Sequence, residues 1–170
     1  MAKITITGSG FGVLAVIGIM IAGLVWLGLP KSIDLLDTYY QPLDTIVFTL
    51  NRASGDYDHK VEAFQKYNAR SWDGCLVELD RIEKPDGEVE LMKGLANFEM
   101  NRGKNPAIRH LANALKDPGL KDNTTVQWYY ALALIHGLDF DQARPVLKAV
   151  AAQPGRYQDK ASKLLTELSK

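Results

Sequence analysis

What this 170-residue chain has little of sets the first limits. It carries one cysteine, Cys75, so no disulfide can close within it and no cysteine-based metal cluster can be built. Its three histidines, His59, His110 and His136, show no H-E-x-x-H spacing, which excludes a zincin-type centre. No segment shows the strand-type alternation of β-branched and polar residues, which predicts an all-α fold. A dense basic stripe is also missing. Residues 31–90 hold 7 Lys/Arg against 13 Asp/Glu (net −6), residues 91–121 hold 6 against 2 (net +4), and residues 122–170 hold 6 against 5. An acidic block followed by a basic one can orient a charged partner, but it is too balanced for nucleic-acid binding.

Charge is almost absent from residues 1–30, where Lys3 stands alone. From Phe11 to Leu29 the chain reads FGVLAVIGIMIAGLVWLGL, nineteen residues without a strongly polar side chain. At ~1.5 Å per residue a helix of that length approaches the ~30 Å hydrocarbon core of a bilayer. Only a helix satisfies every backbone group in lipid, so residues 1–30 are predicted to be a single-pass transmembrane anchor. Trp26 falls where an indole favours the interface, and Pro30 ends the helix. A cleaved signal peptide fits less well, because the apolar core is long and no small-x-small site follows it. Gly12, Ala15, Gly18 and Ala22 have spacings that let a second transmembrane helix approach closely. Gly8, Gly10 and Gly12 are no phosphate loop, since no strand precedes them and no Lys-Ser/Thr follows. Lys3 and the terminal amine lie on one side, and Asp34 and Asp37 follow Lys31 on the other. The positive-inside rule then predicts a cytoplasmic N-terminus and an external C-terminal domain.

Residues 31–55 form a connector whose amphipathic first half is expected as a short helix along the membrane surface, broken at Pro42. Beyond it, residues 56–170 repeat. CLVELDRIEKPDG, AIRHLANALKDPG and ARPVLKAVAAQPG each start on a small residue (Cys75, Ala107, Ala143). Each has leucine at +4 (Leu79, Leu111, Leu147), an apolar residue at +7 (Ile82, Ala114, Val150), then proline and glycine. Those offsets form one helix stripe, suited to close packing on a second helix. Each such helix follows another apolar helix (VEAFQKYNA, VELMKGLANFEM, VQWYYALALI), and a last helix spans Tyr157 to Leu168. Caps are predicted at Asn105-Pro106, at Thr124 with Gln127, and at Asp139 with Gln142. Pro145, inside one second helix, should remove a hydrogen bond and bend it.

The small residues recur at spacings of 32 and 36, the period of tetratricopeptide repeats. The chain resembles that family over residues 56–168, most closely in WYYALALIHGLDFDQA (128–143). Its membrane run, YYQP-type connector and repeats look like membrane-anchored repeat proteins of Gram-negative bacteria. The resemblance implies an α-solenoid of about three helix-turn-helix units with a capping helix, displayed in the periplasm from the inner membrane. It also implies binding in place of catalysis. The first helices would line a groove presenting Lys60, Tyr67 and Asn68, then Met92 and Glu99, then Trp128 and His136. Departures are Cys75 for alanine, Trp72 in a turn, and Gly137-Leu138 where an apolar residue and glycine are usual.

No catalytic constellation assembles from the remaining residues, and no cofactor or metal is expected. Cys75 reads as a buried, inert thiol, His110 as plain surface, and the carboxylates near helix starts as dipole partners. The expected function is a non-catalytic scaffold or accessory subunit of a membrane protein complex, with protein partners and the lipid bilayer as its contacts. The alternative is a tethered adaptor that takes peptides or assembly clients transiently, which requires Trp128 and Tyr67 to be exposed.

Overall fold

The computed structural model describes residues 31–43, 56–100 and 104–169. Within them the chain is all-α, with eight helices and no strand. α1 is Lys31–Tyr39, α2 Tyr57–Asn68, α3 Trp72–Leu79 and α4 Gly87–Glu99. α5 is Lys104–Ala114, α6 Thr124–His136, α7 Phe140–Ala151 and α8 Gln158–Glu167. Among the described residues no helix is long and apolar enough to cross a membrane. The apolar run, with Gly12, Ala15, Gly18 and Ala22, lies outside them.

α2–α3, α4–α5 and α6–α7 form three successive hairpins, each packed on the next, and α8 closes against α7. The predicted stripe is the seam. Its nine residues, from Cys75 to Val150, are all buried, none more than 4% exposed. Fully burying one leucine stabilises by ~1.5–3 kcal/mol, so Leu79, Leu111 and Leu147 are the main fasteners of the second helices. Burial also pushes the Cys75 thiol up to about 12, which keeps it protonated and inert at neutral pH.

Two glycines are demanded by close approach. A methyl group on Gly94 would lie 2.6 Å from Leu111 Cγ, so α4 and α5 touch there backbone to side chain. One on Gly137 would meet Ile108 Cδ1 at 2.9 Å. Glycine at 137 therefore serves packing, and the left-handed turn into α7 falls on Leu138 (φ 64°). The corresponding turn between α2 and α3 falls on Arg70 (φ 57°). This explains why glycine comes first and Leu138 second at that turn.

Helix starts differ from expectation in detail. Asp139 caps α7 through the Gln142 N–H (3.2 Å), and Gln142 Nε2 donates back to it (2.6 Å), as predicted. The cap of α6 is Asn123, one residue before Thr124, accepting from Thr125 N and Val126 N. Gln127 turns instead to the Lys121 carbonyl (3.0 Å). α5 already begins at Lys104, so Asn105 is inside the helix and not its cap. α7 runs through Pro145, whose side chain faces solvent.

Candidate functional site

The connector is not laid out away from the domain. α1 packs on α6 and α8, and Leu35 and Tyr39 are buried. The expected short helix is present, and its apolar edge is covered by α6 and α8 of the same chain. Past Tyr39 the chain continues as a strap, Tyr40 to Leu43, that meets the last turns of α2 and α4 and the middle of α6.

Hydrogen bonds to α4, α6 and α8 hold this segment. Tyr39 Oη donates to Glu167 Oε1 of α8 (2.8 Å). Tyr40 Oη donates to Glu99 Oε1 in the last turn of α4. Tyr129 Oη, from the middle of α6, donates to the Gln41 carbonyl (2.6 Å), and Lys160 Nζ donates to Gln41 Oε1 (2.9 Å). Aromatic contacts fill the space between them. The Tyr40 ring lies 5.0 Å from Phe98 and 6.1 Å, edge-on, from Tyr129. Pro42 and Leu43 border a hollow of about 110 Å³ with Tyr67, Asn68 and Trp72. Burial, reinforced by the Glu167 carboxylate, pushes the Tyr39 phenol up to about 12. Burial raises Tyr40 and Tyr129 further, so all three phenols stay protonated and serve as donors.

Beside the strap lies an open hollow of about 420 Å³, lined by Leu36, Asp37, Tyr40, Phe98, Glu99 and His136. The His136 ring meets Phe98 edge-on at 5.7 Å. Among the described residues no group of three or more His, Cys, Asp or Glu is placed to hold a metal. No family model, curated protein or solved structure matches the chain. The geometry of the site is therefore the guide to its use.

Of the seven residues expected to face a partner, Tyr67, Asn68, Glu99 and His136 gather around the strap. Tyr67 is only 3% exposed, however, and packs edge-on against Trp72 at 4.8 Å. Trp128 is 1% exposed and stacked on Tyr157 at 5.3 Å. Met92 is equally buried in the core. Lys60 is paired with Asp86 at the start of α4. Of the WYY run, Tyr129 and not Trp128 reaches the strap. Adjacent helical residues point about 100° apart, and here the indole goes to the α8 side. The open groove lined by Trp128 and Tyr67 is thus not the arrangement found.

Two polar clusters fasten the hairpins themselves. Buried Glu78 of α3 accepts from Lys66 of α2 and from Arg81 (2.8 Å), with His59 Nδ1 at 3.2 Å. The Lys66 hydrogen bond leads the interactions that hold its carboxyl down to about 2. Glu90 of α4 pairs with His110 Nδ1 (2.8 Å) and accepts from Asn113 Nδ2 (3.2 Å), both on α5. Arg109 approaches His110 Nε2 at 3.1 Å, which leaves Nδ1 as the proton donor to Glu90. His110 is therefore an interhelical link with 15% side-chain exposure, not the plain surface residue expected. The pairing of His110 with Glu90 spans twenty positions, and no local pattern signals it.

Proposed function

We propose that this chain is a non-catalytic, membrane-anchored scaffold, an accessory subunit of a membrane protein complex. The three hairpins are repeats of tetratricopeptide type, α8 is their capping helix, and their surface binds partner proteins. The apolar run Phe11–Leu29 spans a bacterial inner membrane with its N-terminus in the cytoplasm and the helical domain in the periplasm. Its small residues Gly12, Ala15, Gly18 and Ala22 pack against a partner's transmembrane helix.

One observation carries this reading. The helix that follows the apolar run, α1, is docked on α6 and α8. From Lys31, directly after Pro30 in sequence, the chain is already part of the helical body, with no free linker between. A body fixed in that way presents the same faces to a neighbour in the membrane, and tethering makes modest contacts sufficient. Copurification of the full chain from mild detergent, with partners identified by mass spectrometry, tests it. Stable companions in near-constant ratio are expected; a chain that always migrates alone overturns the reading.

A further inference from the structure

We propose that the face formed by the last turn of α4, the middle of α6 and α8 is a recognition site for a leucine- and tyrosine-bearing helical segment, and that the chain's own residues 35–43 keep it occupied. The proposal rests on the scaffold reading above and names the chemistry of the partner segment.

The seated strap shows what the site reads. One helical face supplies Leu35 and, four residues on, Tyr39, both buried. Two phenol donors are met by two carboxylates, Glu167 for Tyr39 and Glu99 for Tyr40. Two residues beyond the end of α1, Tyr129 Oη donates to the Gln41 carbonyl. Lys160 reads the Gln41 side chain. Helix-in-groove recognition uses apolar anchors at i and i+4 with polar contacts at the margin, and this site has both.

The same structure makes the occupant exchangeable. Of residues 35–43 only Leu35 and Tyr39 are buried, and Asp37, Thr38, Gln41 and Pro42 are exposed. α6, by contrast, buries eight of its thirteen residues. A segment with so few buried anchors opens by itself well below the threshold for unfolding the body. The site is then free in a minor population, and an outside segment of the same chemistry binds with an affinity reduced by that fraction.

The probe is a fluorescent peptide of residues 31–43, titrated by anisotropy into the full-length protein in detergent. Tyr39→Ala/Tyr40→Ala removes both phenol donors of the strap and one of its two buried anchors, and should bind the peptide about tenfold more tightly than the unaltered chain. Adding Glu99→Ala to that variant should remove most of the gain. The proposal is overturned if the strap variant melts cooperatively yet gains no affinity, or if Glu99→Ala leaves the gain intact. Hydrogen exchange on the unaltered chain provides a test independent of variants. The α1 amides should exchange well ahead of those in α6, and exchange of both at one common rate overturns the proposal. A chain that copurifies with stable companions but fails these tests keeps its scaffold role and loses only this site.

Discussion

Gly94→Ala sets two opposed effects against each other in one methyl group. Alanine in a helix interior is favoured over glycine by up to ~1 kcal/mol, so at an exposed position the change stabilises. At position 94 the new carbon would lie 2.6 Å from Leu111 Cγ, 2.9 Å from its Cδ2 and 3.1 Å from its backbone nitrogen. Carbon pairs rest at about 3.5–4.0 Å, so the overlap is roughly 1 Å. Leu111 has no room to turn away, being fully buried, and its backbone nitrogen belongs to α5. Relief requires α4 and α5 to separate. Overpacking of this kind costs ~1–3 kcal/mol, so a net loss of about 1–2 kcal/mol is expected. For a domain of this size that lowers Tm by roughly 5–10 °C in a melt followed by far-UV circular dichroism. The cause can be isolated with Leu111→Ala, which removes the obstructing branch. In that background only the contact with the backbone nitrogen of residue 111 remains, so Gly94→Ala should cost clearly less than in the native chain, a coupling read directly from the double-mutant cycle. A Tm unchanged or raised in the otherwise native chain would refute the close-contact argument.

Leu138 holds a left-handed backbone, which costs a side-chain-bearing residue ~1–2 kcal/mol, and glycine gives back part of that in chain entropy. Leu138→Gly should therefore raise stability by about 0.5–1 kcal/mol, measured by urea denaturation, and a loss would contradict the strain. Glu78 is held at about 2, below the ordinary 4.5, so its contribution is complete above pH 4.5 and disappears as pH falls toward 2. Glu78→Gln should be less stable near neutrality and should flatten the melting curve against pH across that window; an unaltered acid limb would show the cluster to be inert. Cys75, buried with its thiol pushed up to about 12, should resist Ellman's reagent until the body unfolds. Rapid labelling of the folded chain would mean that the α2–α3 seam opens on its own.

The body was legible in the sequence because its rules are local. Cys75, Leu79 and Ile82 and their counterparts announce a seam through spacing alone, and the residues at all nine positions are buried. The Asp139–Gln142 cap was readable for the same reason, since both partners lie within one turn. The strap was not readable. An amphipathic edge at Leu35 and Tyr39 says that α1 needs an apolar partner, but a membrane surface and the α6–α8 face satisfy that need equally well. What decides is the pairing of Tyr39 with Glu167 and of Tyr129 with Gln41, at separations of 128 and 88 residues. The same limit hid the Glu90–His110 link and directed attention to Trp128 in place of its neighbour. Aromatic residues in a run show that a helix is buried on several sides, and only the neighbouring helices settle which ring meets which.

The contact between Tyr39 and Glu167 has a consequence for how the chain is made. Stacked hairpins can settle one after another as they leave the ribosome, because each needs only the unit before it. The α1 segment emerges well before α8, yet one of its anchors, Glu167, belongs to α8 and follows Tyr39 by 128 residues. It stays without that anchor until α8 has been made. Throughout that interval the face it will later cover stays open, so the order of translation itself sets how long the α6–α8 surface is uncovered.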